Sequence, residues 1–130
     1  MTATVSTDAA DLSPEGAEVA RRVEELLAAH PPATTERTAF LEAQFDAGLA
    51  WVHFPEGAGG LGLSPGLQRI VDRALHAAGA PGPDVARDII GMGMAAPTIA
   101  VHGTPEQRAR YLKPLFTGQE IWCQLFSEPG

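Results

Sequence analysis

Three kinds of residue in this chain could do chemistry by type and spacing. The first is the string "GAGGLG", in which Gly57, Gly59 and Gly62 satisfy G-x-G-x-x-G. That pattern cradles a pyrophosphate only when a strand precedes it and a helix opens within it, so that helical N–H groups face the phosphate. Here "HFPE" puts a proline where the strand should finish, and the next helix is capped by Ser64, beyond the third glycine. The glycines read instead as tight turns and places of close backbone approach. The second kind is the histidines, at 30, 53, 76 and 102, which show no i,i+4 pair and no carboxylate at ligand spacing. With a single cysteine in the chain a structural zinc is not expected, and no metal site is assigned. The third kind is nucleophiles. Ser127, in "LFSEP", lacks the glycines of a nucleophile elbow. Cys123 sits in an apolar run with strand chemistry, where a buried, inert thiol is expected, and Glu128 reads as a solvated acid in a turn. No catalytic residue follows from residue type alone.

The elements that must position these groups are mostly helical. Ser13-Pro14-Glu15 is a helix start, followed by an apolar stripe at Val19, Val23, Leu26 and Leu27. Glu18→Arg22 and Arg21→Glu25 can pair along its outer face, and Pro31-Pro32 ends it near His30. Thr34 or Thr35 is expected to start a second helix bearing Phe40, Leu41, Phe45 and Leu49. After the Gly-rich connector "WVHFPEGAGGLGL", Ser64-Pro65 starts a third, which buries Leu67, Ile70, Val71, Ala74 and Leu75. Two short helical pieces are expected around 84–92 and 94–102. Thr104-Pro105-Glu106-Gln107 then has the spacing of a capping box, and Gly118 suits a left-handed exit. Residues 120–127 read as the only good strand. The sequence thus predicts an all-α fold: about six helices over 13–118, then one strand. Residues 1–12, small and polar, are expected to be disordered.

Composition narrows the partners. The net charge is −7, with nine acids against three arginines in residues 1–50 and seven against six bases in 51–130. No Lys/Arg cluster could neutralise a phosphate ladder or an anionic membrane, so neither nucleic acid nor membrane is expected. Seventeen residues from Ile89 to Pro105 lack Asp, Glu, Lys and Arg, but Gly91, Gly93, Pro97 and Gly103 interrupt them. A spanning helix needs about 20 mostly apolar residues. The run, with Met92, Met94, Ala95, Ala96, Thr98 and Ile99, is either core or the wall of an apolar ligand cavity. A single cysteine and an N-terminus without a signal-peptide pattern fit a cytoplasmic chain.

Three segments in order resemble the acyl-CoA dehydrogenase family. "WVHFPEGAGGLGLSP" is similar to its Trp…Pro-Glu…Gly-Gly-x-Gly segment. "HGTPEQRARYLKPLFTGQEIW" is similar to its Gly-x-x-x-Gln-(Lys/Arg)…Tyr-Leu…Gly-Glu stretch, with Gln119-Glu120 after Gly118. "CQLFSEPG" resembles the opening of its (Ser/Thr)-Glu-Pro signature. The resemblance implies FAD as cofactor and α,β-desaturation of an acyl-CoA thioester, with hydride passing to flavin. It implies Gln124, Leu125, Phe126 and Ser127 along the flavin ring, Ser127 standing for the residue whose hydroxyl bonds it. It also implies Met94, Ala95 and Thr98 beside the acyl chain, and an oligomer with an electron-transfer flavoprotein as candidate acceptor. The family's catalytic glutamate belongs to a C-terminal domain, so no residue here is given the role of base. The resemblance therefore implies an N-terminal piece of such an enzyme, inactive alone, with 119–130 the first strand of a truncated β domain. The alternatives are a naturally short, non-catalytic helical interaction subunit of a similar oligomer, and an unrelated helical domain.

Overall fold

A computed structural model describes residues 13–129. Helix α1 (Pro14–Ala29) starts where its cap chemistry dictates, with Ser13 Oγ accepting from the Gly16 N–H at 2.9 Å and His30 at the C-cap. Its outer face carries both expected pairs, Arg22 to Glu18 at 2.9 Å and Arg21 to Glu25. Helix α2 (Arg37–Asp46) begins later than Thr34 or Thr35. Those two N–H groups close a turn onto the Pro31 carbonyl, at 3.1 and 3.0 Å. Glu36 becomes the cap instead, its carboxylate accepting from Thr38 and Ala39 N–H at 3.0 Å each. These backbone donors hold the Glu36 carboxyl below its ordinary pKa.

The connector 51–63 folds into a compact loop with neither the strand nor the helix that a phosphate cradle needs. Trp51 N–H bonds Gly59 O at 2.9 Å, and Gly62 N–H bonds Phe54 O at 2.8 Å. A Cβ on Gly60 would overlap the carbonyl oxygens of Phe54 and Trp51, and one on Gly59 would stand 2.6 Å from the Phe45 ring. The glycines serve close approach. After a 3₁₀ turn at Pro65–Leu67 comes helix α3 (Gln68–Ala77); Ser64 makes no side-chain cap bond.

The two pieces expected at 84–92 and 94–102 are joined. Residues 89–90 are helical, a π turn covers Gly91–Ala95, and helix α4 (Ala96–His102) continues from it. Pro97 explains the wide turn. It has no N–H to give to the Gly93 carbonyl and its ring would crowd that oxygen, so the ladder shifts to a bond from Ala96 N–H to Gly91 O. Helix α5 (Pro105–Thr117) opens with the full capping box. Gln107 N–H donates to Thr104 Oγ1 at 3.2 Å, and Thr104 N–H donates to Gln107 Oε1 at 2.9 Å. It ends on Gly118 at φ 78°, as expected for a left-handed exit.

The described residues are all-α, as the sequence predicts, but 120–127 forms no strand. Residues 121–129 have no regular secondary structure, because a strand exists only through a hydrogen-bonded neighbour and the described residues offer none. Cys123 is consequently exposed, not buried. The expectation for residues 1–12 lies outside the described residues, as does Gly130.

Two apolar clusters hold the fold together. One joins α1 and α3 through Val19, Val23, Leu26, Val71 and Leu75, with Phe40 from α2. The other joins the α4 segment and α5 through Met92, Ala96, Ala100, Leu112, Leu115 and Phe116, with Leu41 and Phe45 from α2. Helix α2 thus faces both clusters. Among the described residues, no helix is long and apolar enough to cross a membrane.

Candidate functional site

The charge-free run resolves into two faces. Met92, Ala96 and Ala100 point into the core, at a spacing of four that suits one side of a helix. Met94 and Thr98 lie on the other side, exposed, with Ala95 half-buried between them. The run thus gives one face to the core and leaves the other at the surface.

That outer face walls an apolar cavity of about 260 Å³, lined by Ile90, Met94, Ala95, Thr98 and Ile99 on one side and by Trp122, Cys123 and Gln124 on the other. A second cavity of about 280 Å³ shares Thr98, Ile99 and Trp122 and extends toward His102, Gln107 and Tyr111. The two make a groove along the α4 and α5 surface with the Trp122 ring in its wall. Thr98 is not a free donor here, because its hydroxyl gives its proton to the Met94 carbonyl at 2.7 Å. What remains is a slot of methyl, thioether and ring surface, suited to an unbranched or branched apolar chain.

The structure gathers Met94, Ala95, Thr98 and Gln124 around this one cavity. It does not bring Leu125, Phe126 or Ser127 into it. Leu125 is 90 % exposed and Phe126 84 %, and the stretch 123–129 makes no hydrogen bond among the described residues. Ile90 and Trp122 also line the cavity without having been singled out, Ile99 joins it from the charge-free run, and Cys123, expected only as a buried thiol, lies in its wall. Ile90 could have been found from its helical spacing with Met94 and Thr98, whereas Trp122 and Cys123 look from sequence like ordinary strand residues.

Three contacts seat the segment leading to this wall. Arg110 pairs with Glu120, which raises the already high Arg110 pKa. Glu120 N–H bonds the Pro114 carbonyl at 3.1 Å. Trp122 stands edge-on to Tyr111, their centroids 5.3 Å apart at 85°. Elsewhere, a cavity of about 310 Å³ beside the Gly-rich connector is lined by Arg22, Asp46 and Glu56 among backbone and apolar atoms. It holds no nucleophile beside a base. Among the described residues, no group of three His, Cys, Asp or Glu is placed to hold a metal ion.

The model of the acyl-CoA dehydrogenase N-terminal domain matches residues 15–119. The chain belongs to the acyl-CoA dehydrogenase family. Residues 15–119 of this acyl-CoA dehydrogenase domain include α1 to α5 and one wall of the groove. Among curated relatives, acyl-CoA dehydrogenase FadE34 of Mycobacterium tuberculosis is 47% identical over 85 residues, which cover 65% of this chain and 11% of that protein. Acyl-CoA dehydrogenase IpdE1 of the same organism is 37% identical over 95 residues, 73% of this chain and 24% of the relative. IpdE1 of Mycolicibacterium smegmatis is 36% identical over 95 residues, with the same coverage of 73% and 24%. The matched stretch of this acyl-CoA dehydrogenase domain thus spans at most about a quarter of the curated relatives. No solved structure matches the chain at a significant level.

Proposed function

We propose that this chain is the N-terminal helical part of an FAD-dependent acyl-CoA dehydrogenase, and that its groove on α4 and α5 receives the acyl chain. Its boundaries in this reading are 13–118 for the helical domain and 119–130 for the start of a β domain. The observation that carries the reading is the coincidence of the family match with an apolar cavity walled by Met94, Ala95 and Thr98. Apolar walls favour an alkyl chain by removing its surface from water, at about 25 cal/mol per Å².

The residues that follow fit a flavin edge. Gln124, Leu125, Phe126 and Ser127 are exposed and make no hydrogen bond among the described residues, so their N–H groups and the Ser127 hydroxyl are available to a polar ring edge. Leu125 and Phe126 offer apolar contact beside those donors. When bound, FAD supplies the acceptor for the hydride that leaves the acyl β carbon. This chain's own part is to bind and orient. Its groove offers one apolar wall to the acyl chain, and the Ser127 hydroxyl donates toward the cofactor.

The carboxylate that removes the α proton is assigned to no residue of this chain. In this reading the assembled enzyme is a cytoplasmic oligomer of acyl-CoA dehydrogenase subunits, acting in acyl-CoA degradation with an electron-transfer flavoprotein as candidate acceptor. The 130-residue chain alone neither retains FAD firmly nor turns over substrate. The test is anaerobic mixing with acyl-CoA. A longer protein carrying this domain should copurify with flavin and bleach on mixing, while the 130-residue chain should do neither. Stoichiometric FAD on the short chain, bleached by acyl-CoA, would contradict the division of labour. A longer protein without flavin would favour a non-catalytic interaction subunit.

A further inference from the structure

Of the acids and bases among the described residues, Asp88 alone is buried, at 4 % exposure. A buried carboxylate is costly unless hydrogen bonds compensate it, and this one spends a single oxygen on two backbone donors. Its Oδ1 accepts from Gly91 N–H at 3.0 Å and from Trp122 N–H at 3.1 Å. The first bond caps the helical run that leads to Met94 and Thr98. The second reaches 34 residues along the chain to the opposite wall of the cavity. Trp122 is also the last residue among those described whose backbone is hydrogen-bonded. Gly91 makes room for this joint, since a Cβ there would collide with both Asp88 carboxylate oxygens.

We propose that Asp88 is a positioning residue: its Oδ1 fixes the Trp122–Gln124 wall of the cavity against the Ile90–Thr98 wall. This carboxylate oxygen, together with the Arg110–Glu120 pair and the Tyr111–Trp122 contact, sets the width of the slot and the direction in which residues 124–127 leave it. What the slot holds rests on the acyl-CoA dehydrogenase reading above; the joint itself does not. Asp88 Oδ2 has no protein partner. Asp88→Asn therefore keeps the Oδ1 acceptor and puts its amide nitrogen where no bond is broken, while Asp88→Ala removes the joint.

Amide hydrogen exchange on the 130-residue chain tests the joint without any ligand. Asp88→Ala should speed exchange at the Trp122 N–H by on the order of 10- to 100-fold, as loss of a charge-assisted bond implies. Asp88→Asn should leave it within a few-fold, and the Val23 and Val71 amides should not change in either variant. Gly91→Ala, which displaces the carboxylate without altering it, should reproduce the Asp88→Ala effect. A nitroxide on the exposed Cys123 should sharpen to a mobile line shape in the same two variants only. Equal Trp122 exchange in wild type and Asp88→Ala, or loss of protection in Asp88→Asn as well, overturns the proposal. In the longer flavin-containing enzyme, Asp88→Ala should raise KM for acyl-CoA about tenfold, a loss of about 1.4 kcal/mol. Asp88→Asn should restore it. If the joint behaves as described but KM does not move, the acyl-chain assignment of the groove fails and the joint stands.

Discussion

The two halves of this helical domain solve the same packing problem to different degrees. On the α1 and α3 side, Val19, Val23, Phe40, Leu49 and Val71 are each at most 1 % exposed, and the helices close over them. On the α4 and α5 side the interior is equally tight. There the rings of Phe45, Trp51, Phe54 and Phe116 lie 4.7 to 6.3 Å apart. Its outer surface is not closed, however. Ile89 is 65 % exposed and Val101 70 %, and Leu125 and Phe126 stand almost free. Large apolar side chains left exposed in one half of a fold point to contact surface there. The first half is scaffold, and the second half is both scaffold and, in the function proposed above, site.

The sharpest way to break that contrast is to truncate the same residue type inside and outside. Phe116→Ala should cost about 3–5 kcal/mol of unfolding free energy, because it leaves a cavity among packed rings. Phe126→Ala should stay within about 0.5 kcal/mol, because its ring touches little that folding buries. Urea denaturation of the two variants decides it. Similar losses would mean that residues 121–129 pack far more closely than their exposure implies.

A smaller effect separates two helix starts that look alike in sequence. Thr104→Ala should cost about 1 kcal/mol, since it removes half of a reciprocal cap. Ser64→Ala should fall within about 0.5 kcal/mol, because Ser64 caps nothing with its side chain. The melting temperatures of the two variants make the comparison.

Much of the fold was legible because its signals are local. Ser13, the Thr104–Gln107 box and Gly118 each specify a terminus through bonds spanning three or four residues, and the apolar stripes of α1 and α3 need only helical spacing. The misses arise where a local signal competes with something out of its reach. Thr34 and Thr35 are good caps by type, but the Pro31 carbonyl takes their N–H groups into a turn. Residues 120–127 have strand chemistry, yet a strand is a property of two segments, and Cys123 stays exposed for the same reason. The π turn follows from Pro97, and could have been inferred from it. The bond from Trp122 to Asp88 could not, since nothing in either neighbourhood points to a partner 34 residues away. As for the site, Met94, Ala95 and Thr98 entered with the charge-free run, and resemblance to a family singled them out of it. Their meeting with Gln124 at one cavity is visible only in three dimensions.

The smallest effect belongs to the closed half. Arg21 and Arg22 hydrogen-bond Glu18 and hold its carboxyl down to about 2, from an ordinary 4.5. A depressed carboxylate pKa stabilises the fold above the unfolded value, and that contribution fades as pH falls from 4.5 toward 2. Because the pair is exposed, the change is slight and shrinks further in salt. Glu18→Gln should flatten the acid limb of the stability profile in that window and nowhere else. An acid limb unchanged by the substitution would remove Glu18 from the account.

The central claim, that the open face on α4 and α5 receives an acyl chain, is tested most directly by filling its cavity. Met94 is 49 % exposed at the cavity wall, so Met94→Trp adds a ring there without entering the core. The measurement is kcat/KM against acyl-chain length in the longer flavin-containing enzyme. The account predicts a shift of the optimum toward shorter chains, with the long-chain value falling by about tenfold or more. A chain-length profile identical to wild type, with the variant folded and holding flavin, would contradict it.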